Sequence, residues 1–302
     1  MSSQGARKAG VGIALALPPE VDPAFYRRTW MDLTALTDAQ LAEHYAIFGR
    51  QEGSLASPAG ERPGFLALVP PKVSVLEIGP AHNPCFTGPH VKYFDVQDSD
   101  GLRERALTHN ENPKGTPGKI DYVSPTGDLG IVRETFDAVF SSHAIEHQPD
   151  LIKHLVEVDR VLAPGGAYFV ICPDKRYCFD RHIPASTIGE VLEAHLTQRQ
   201  THRMADFIDA MSMSSHNDPA RHWVNDSPPV RINTALVAQA LDQIEKAKGG
   251  YIDCHAWRMT PESFREIVET LYQLGKSPLR PLRVYDTARG QNEFFAVLGR
   301  DG

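Results

Sequence analysis

Cysteine is scarce in this chain. Only Cys85, Cys172, Cys178 and Cys254 occur, and no pair has the C-x-x-C spacing of a zinc or redox motif. That argues against a disulfide scaffold and leaves free thiols suited to a reducing compartment, so a cytoplasmic location is expected. No apolar run approaches the ~20 residues that a membrane-crossing helix needs. Positive charge is thin as well: no Lys/Arg run exceeds two residues and the net charge is −7, which disfavours nucleic acid as a partner. Internal repeats and low-complexity segments are missing. The start, "RKAGVGIALALPP", has the basic-then-apolar outline of a signal peptide. However, it is rich in Gly and Ala and ends in Pro18-Pro19 without a small-x-small cleavage site. Residues 1–19 therefore read as a flexible tail.

What is present is ordinary soluble composition, 41% hydrophobic and 23% charged over 302 residues, enough for one large domain with an appendage. Residues 20–64 read as a small helical unit and linker. Thr37 is the helix cap, Leu41, Tyr45 and Phe48 share one face, Gly49 is the stop, and the turn-rich "SLASPAGERPG" follows at 54–64. From about residue 72, short apolar runs alternate with helical stretches. "KVSVLEIG", "VKYFDV", "KIDYVSPTGDL", "TFDAVFSSH" and "AYFVICP" are five strands, and "PDLIKHLVEVDRVLAPGG" is a helix stopped by Pro164-Gly165-Gly166. Strands that are apolar on both faces and joined by helices imply a parallel sheet covered on both sides. The expected fold is α/β, a Rossmann-like, doubly wound, mostly parallel sheet over residues 65–302. A helical insert at about 174–248 interrupts it, with helices near 186–212 and 231–248. "GGYIDCHAW" is extended, Thr260 starts a further helix, and "LRVYDT" and "NEFFAVLGR" close the chain as a hairpin turning at "ARGQ".

The stretch "VLEIGPAHNP" places a carboxylate, Glu77, near the end of a core strand and breaks the chain directly after it. In open α/β sheets, ligands bind beyond the carboxyl ends of the strands. Gly79 lets a ligand approach the backbone. Glu77 is placed to anchor backbone groups of the loop or to attract a cationic ligand. Asp95 ends the next strand, 18 positions after Glu77, where a ribose diol would be gripped. A dinucleotide is disfavoured, because G-x-G-x-x-G is absent and two prolines remove amide donors from the loop.

Taken in order, "VLEIGP", "YFD", "GDL", "FDAVFSSHAIEHQPD" and "RVLAPGGAYFVICPD" resemble the class I S-adenosylmethionine-dependent methyltransferases, type 11-like, over residues 72–174. "PDKRYCFDRHIP", "HAW" and "NEFFAVL" are similar to a bacterial subfamily, and "FYRRTWMDL…LAEHYAIFGRQEG" is similar to a helical element found beside bacterial glycan-assembly enzymes. The resemblance implies S-adenosylmethionine as cofactor. Glu77, Gly79 and Pro80 would form the loop near its methionine part, and Asn83 would add a hydrogen bond. Asp95 would take the ribose hydroxyls, Asp128 the adenine amino group with the Leu129 backbone beside the ring, and Ser142 and His143 would face the sulfonium and the acceptor. The departure is "GPAHNP", where many members carry a glycine at position 81.

His143 is the candidate base, suited to proton removal near neutral pH. Asp174 and Arg176, directly after the fifth strand, are expected to point into the acceptor region, where carboxylate and guanidinium suit a sugar. These residues point to O-methylation of a polar small molecule or glycan, with a small-molecule or natural-product acceptor and a non-catalytic scaffold as alternatives. A homodimer or a glycan-assembly partner is the association to look for. No metal ligand is assigned. His143 and His147 flank Glu146 without an H-E-x-x-H pattern, and helix packing is the plainer reading of His147. Asp253 and His255 share a face of an extended stretch and, with Asp174 or His222, form an alternative cation set. A divalent metal is thus an open option but is not expected.

Overall fold

The computed structural model describes residues 16–301. Seven strands form one sheet: β1 (Val75–Ile78), β2 (Val91–Asp95), β3 (Tyr122–Val123), β4 (Phe136–Ser142), β5 (Leu162–Pro173), β6 (Arg280–Tyr285) and β7 (Glu293–Gly299). Their order is β3-β2-β1-β4-β5-β7-β6. β1 to β5 are parallel, and β7 pairs antiparallel with both β5 and β6. Helices lie on both sides. This is the doubly wound, mostly parallel α/β sheet expected from the strand pattern, and its order agrees with the class I methyltransferase fold that the resemblance implied. The strand order reverses between β1 and β4, which opens a crevice at their carboxyl ends.

The helices are α1 (Pro23–Thr29), α2 (Asp38–His44), α3 (Arg50–Glu52), α4 (Arg62–Leu66), α5 (Ser99–Thr108), α6 (Leu151–Val161), α7 (Ile188–Leu196), α8 (Met204–Met213), α9 (Pro219–Trp223), α10 (Thr234–Ala247) and α11 (Pro261–Gln273). Side-chain alternation along β5 divides the core in two. Tyr168, Val170 and Cys172 join Leu155, Val158, Phe264 and Leu271 of α6 and α11. Ala167, Phe169 and Ile171 face the opposite way, toward Phe65 and Phe295. Phe65 belongs to α4, so the N-terminal region supplies a lid for the second face of the sheet.

Several expectations need correction here. Residues 54–64 are not a linker: Ser57, Ala59 and Gly60 are buried, and Pro58–Gly60 forms a 3-10 turn leading into α4. Gly49 does not stop the helix, which runs through a π-turn at Tyr45–Gly49 and ends at Gly53, with φ of 70°. The π-turn also rotates Phe48 off the buried face, leaving it 53% exposed. Gly49 is needed for space instead, since a Cβ there would come within 2.4 Å of Tyr26 Oη. Most of the tail expected at residues 1–19 lies outside the described residues. Residues 16–19, however, are fastened, because the Pro18 carbonyl accepts bonds from Arg283 and Tyr285. In the insert, the helix expected over 186–212 is two helices, broken where Gln198 takes φ of 52°.

Candidate active site

A cavity of about 630 Å³ sits in the crevice. Its floor is Ile78 and Gly79 after β1, Phe94 and Asp95 at the end of β2, and His143 and Ala144 after β4. Leu102, Arg105 and Ala106 of α5 form one side and Pro125–Gly127 another. Gln200 and Thr201 of the insert, with Tyr251 and Asp253 of the extended segment, close it from above. The volume suits a drug-sized ligand.

Gly79 has φ of 71°, a conformation glycine adopts freely, and an added Cβ would meet Ala144 Cβ at 3.1 Å. Glu77 does not reach the cavity wall. Its carboxylate accepts bonds from the amides of Cys85 (2.7 Å) and Phe86 (3.0 Å), which curls the loop back over β1. Burial pushes this carboxyl up to about 7 against the pull of those amides and of Arg62. The strand carboxylate therefore acts as the loop's anchor. In Glu77→Gln, one amide meets an NH2 group instead of an acceptor. An unpartnered buried donor costs about 1–3 kcal/mol, and removal of a poorly solvated charge offsets part of this. We expect urea unfolding to show a loss of roughly 1 kcal/mol at neutral pH. An unchanged midpoint would mean that the loop is held by other contacts.

Asp95 is 7% exposed and stands on the cavity wall. Its Oδ1 accepts from the amides of Val96 (2.7 Å) and Gln97 (3.3 Å). Burial raises its pKa, opposed by those amides and by Arg105. His143 has φ of 51°, a strained value for a non-glycine residue, and is more than a third exposed, facing the cavity. Its Nε2 donates to Glu293 Oε2 at 2.9 Å. Burial disfavours the imidazolium, but the Glu293 bond and the charges of Glu146 and Glu293 outweigh this and raise its pKa.

The other anticipated site residues lie elsewhere. Asp128 caps a 3-10 turn by accepting from the Gly130 amide at 2.8 Å, and Leu129 is buried in the core beside α6, so neither lines the cavity. The neighbouring Pro125–Gly127 takes that place, because the short β3 ends before it. Ser142 faces the other side of the sheet, where Arg62 donates to its Oγ at 3.2 Å. Pro80 is buried and Asn83 is exposed; both shape the loop without lining the cavity. Asp174 is fully buried and accepts a forked interaction from Arg176, with Nη2 at 2.6 Å, plus a bond from Thr287. That ion pair ties the start of the insert to the β6–β7 connection and lies outside the cavity wall. His222 is buried, with its two ring nitrogens taken by Ser227 and the His216 carbonyl.

Sequence reasoning missed Arg62 and Glu293, which are 231 positions apart and joined by a forked ion pair with Nη2–Oε2 at 2.6 Å. Through Glu293, the N-terminal region holds His143. Arg105 was also missed; it donates to Asp253 at 2.8 Å. No local pattern marks these pairings.

Residues 85–170 match the family model of a methyltransferase domain. Among curated proteins, the chain is similar to the polyketide synthase–nonribosomal peptide synthetase TwmB of Talaromyces wortmannii, 30% identical over 110 residues, 33% of this chain and 4% of that protein. It is also similar to the sterol 24-C-methyltransferase ERG6A of Gibberella zeae, 32% identical over 130 residues, 42% of this chain and 32% of that protein. The chain thus spans well under two thirds of either relative. The solved CcbJ methyltransferase of Streptomyces caelestis is 14% identical, with 81% of this chain and 98% of that one covered at a TM-score of 0.39. Residues 85–170 thus resemble a methyltransferase domain, and S-adenosylmethionine is the cofactor that such a domain implies. The cavity fits that molecule: a glycine-backed floor, a buried carboxylate for a diol, and the apolar flank of Phe94, Leu102 and Ala106. Among the described residues, no helix is long and apolar enough to cross a membrane.

Proposed function

We propose that the protein is a methyltransferase that O-methylates a polar, hydroxyl-bearing acceptor, a sugar or glycan unit first among them. The observation that carries this reading is the cavity at the carboxyl ends of β1, β2 and β4, with Gly79 and Asp95 at its base and a polar roof of Gln148, Gln200, Thr201 and Tyr251. S-adenosylmethionine, when bound, supplies a methyl group already activated on a sulfonium. The chain's own work is then alignment and exclusion of water. Asp95 holds the ribose hydroxyls, the Gly79 backbone allows close approach, and the insert covers the mouth. A polar roof suits an acceptor with several hydroxyls. A natural-product acceptor is the second reading, favoured by the relatives' names.

Calorimetric titration with S-adenosylmethionine and with its demethylated product tests the cofactor. Micromolar binding is expected, weakened at least tenfold, about 1.4 kcal/mol, in Asp95→Ala. Absence of binding by folded wild type would move the scaffold alternative ahead. Transfer of labelled methyl to sugar nucleotides and glycan oligomers, run beside phenols and lipids, tests the acceptor. Labelling confined to phenols or lipids would overturn the sugar reading.

A further inference from the structure

Glu146 is 1% exposed, and neither of its carboxylate oxygens has a hydrogen-bond partner. A buried carboxylate without a partner is costly by several kcal/mol, so its surroundings should compensate it. Three imidazoles converge on one oxygen. His147 Nε2 and His255 Nε2 lie 3.8 Å from Glu146 Oε1, and His143 Nδ1 lies 3.9 Å from it. These separations are too long for hydrogen bonds. They are close to the spacing of ligands that share one ion, since bonds of about 2.0–2.2 Å at tetrahedral angles put ligand atoms about 3.4 Å apart. The ligand atoms of Glu146, His147 and His255 all lie within 4.8 Å of one another.

The outer nitrogens of the same rings make short contacts with carboxylates. His147 Nδ1 lies 2.8 Å from Asp253, His255 Nδ1 2.5 Å from Asp180 and His143 Nε2 2.9 Å from Glu293. If the rings were simply ion-paired with Glu146, their inner nitrogens would close to similar distances. Instead, each imidazole is oriented by a carboxylate behind it and presents its other nitrogen to a shared centre. That is the arrangement of metal-ligating histidines.

We propose that Glu146, His147 and His255 bind a divalent transition-metal ion of the zinc class at the wall of the cavity, with an open position on the side of His143. Two imidazoles and one carboxylate suit such ions, and a three-ligand set leaves room for an exogenous oxygen. The role rests on the methyltransferase reading. An acceptor hydroxyl on the ion would lose its proton more readily, as metal-bound water does. The proton would pass to His143 or solvent. The oxygen would then form its bond to the methyl carbon while the carbon–sulfur bond breaks, with its electron pair staying on sulfur.

The test uses the full chain, dialysed against chelator and titrated with cobalt(II), whose visible absorption reports ligand number. Zinc is then added in competition. One equivalent is expected, displaced by zinc, with at least 100-fold weaker binding in Glu146→Gln and in His147→Asn. The second variant alters a partly exposed residue, and its circular dichroism checks the fold. S-adenosylmethionine titration of the metal-free protein runs in parallel. If folded wild type binds S-adenosylmethionine but takes up no more cobalt than the two variants, the metal site is refuted while the methyltransferase reading stands. Cobalt bound by wild type and lost in the variants, without cofactor binding, supports the site and removes only its proposed role.

Discussion

Wild-type protein is expected to lose about 2 kcal/mol of folding stability between pH 6.5 and pH 5 through one residue, His154. This histidine sits in α6, 4% exposed, with Nε2 2.9 Å from Tyr168 Oη. Burial alone pushes its pKa down to about 3. In the unfolded chain a histidine takes its proton near 6.5. Between those values the unfolded state binds one more proton than the native state, so stability rises with pH across the window and falls on acidification. Each unit is worth about 1.4 kcal/mol, and the full span would remove roughly 4–5 kcal/mol, a large part of a typical domain's stability.

The check is urea unfolding of wild type and His154→Gln at pH 7, 6 and 5. Glutamine retains a partner for Tyr168 but cannot take the proton. Other titrating groups are shared by both proteins, so the difference in pH slope isolates His154. Equal slopes would mean that the ring is already charged in the native state or opens to water. The variant itself should be less stable at pH 7, because glutamine fills the ring's space imperfectly, yet it should overtake wild type in acid.

The strands and α6 were readable because buried parallel strands are short apolar runs and a half-buried helix repeats every three or four residues. The place of Gly79 and Asp95 on the cavity wall was readable for a related reason: a crevice at strand ends constrains residue type at fixed offsets. Asp128 misled because a turn aspartate that caps its own backbone has the same local sequence as one that reaches a ligand. Asp174 and Arg176 misled because two opposite charges next to a strand end satisfy each other before they meet anything else. The N-terminal region was misjudged for want of a periodic signal, since "SLASPAGERPG" has the composition of a loop, yet Phe65 just beyond it covers Phe169 and Phe295. The convergence on Glu146 was only half visible. "HAIEH" and "DCH" each stood out, but more than a hundred residues separate them, and only the tertiary fold brings His255 to Glu146.

The second large effect is expected at Trp257, which lies next to that convergence. Trp257 is 1% exposed, its indole N–H donates to the Gln148 carbonyl at 2.7 Å, and the Arg199 guanidinium lies 4.7 Å from its ring. The amides of Ala256 and Trp257 both donate to the Glu146 carbonyl, at 2.8 and 3.1 Å. An extended segment with no strand of its own is thereby fastened to the turn after β4, two residues from His255. Trp257→Ala removes a large buried side chain and leaves the Gln148 carbonyl unpartnered, so a loss of roughly 3–5 kcal/mol is expected in urea unfolding. Trp257→Phe refills most of the volume but not the hydrogen bond, and should recover more than half of that loss. A Trp257→Ala loss below about 1 kcal/mol would show that the site is held by the Asp180–His255 and Asp253–His147 pairs without the indole, since exposed surface substitutions are of that size or smaller. If the loss is large, residues 251–257 are the strap that sets the spacing between His255 and Glu146.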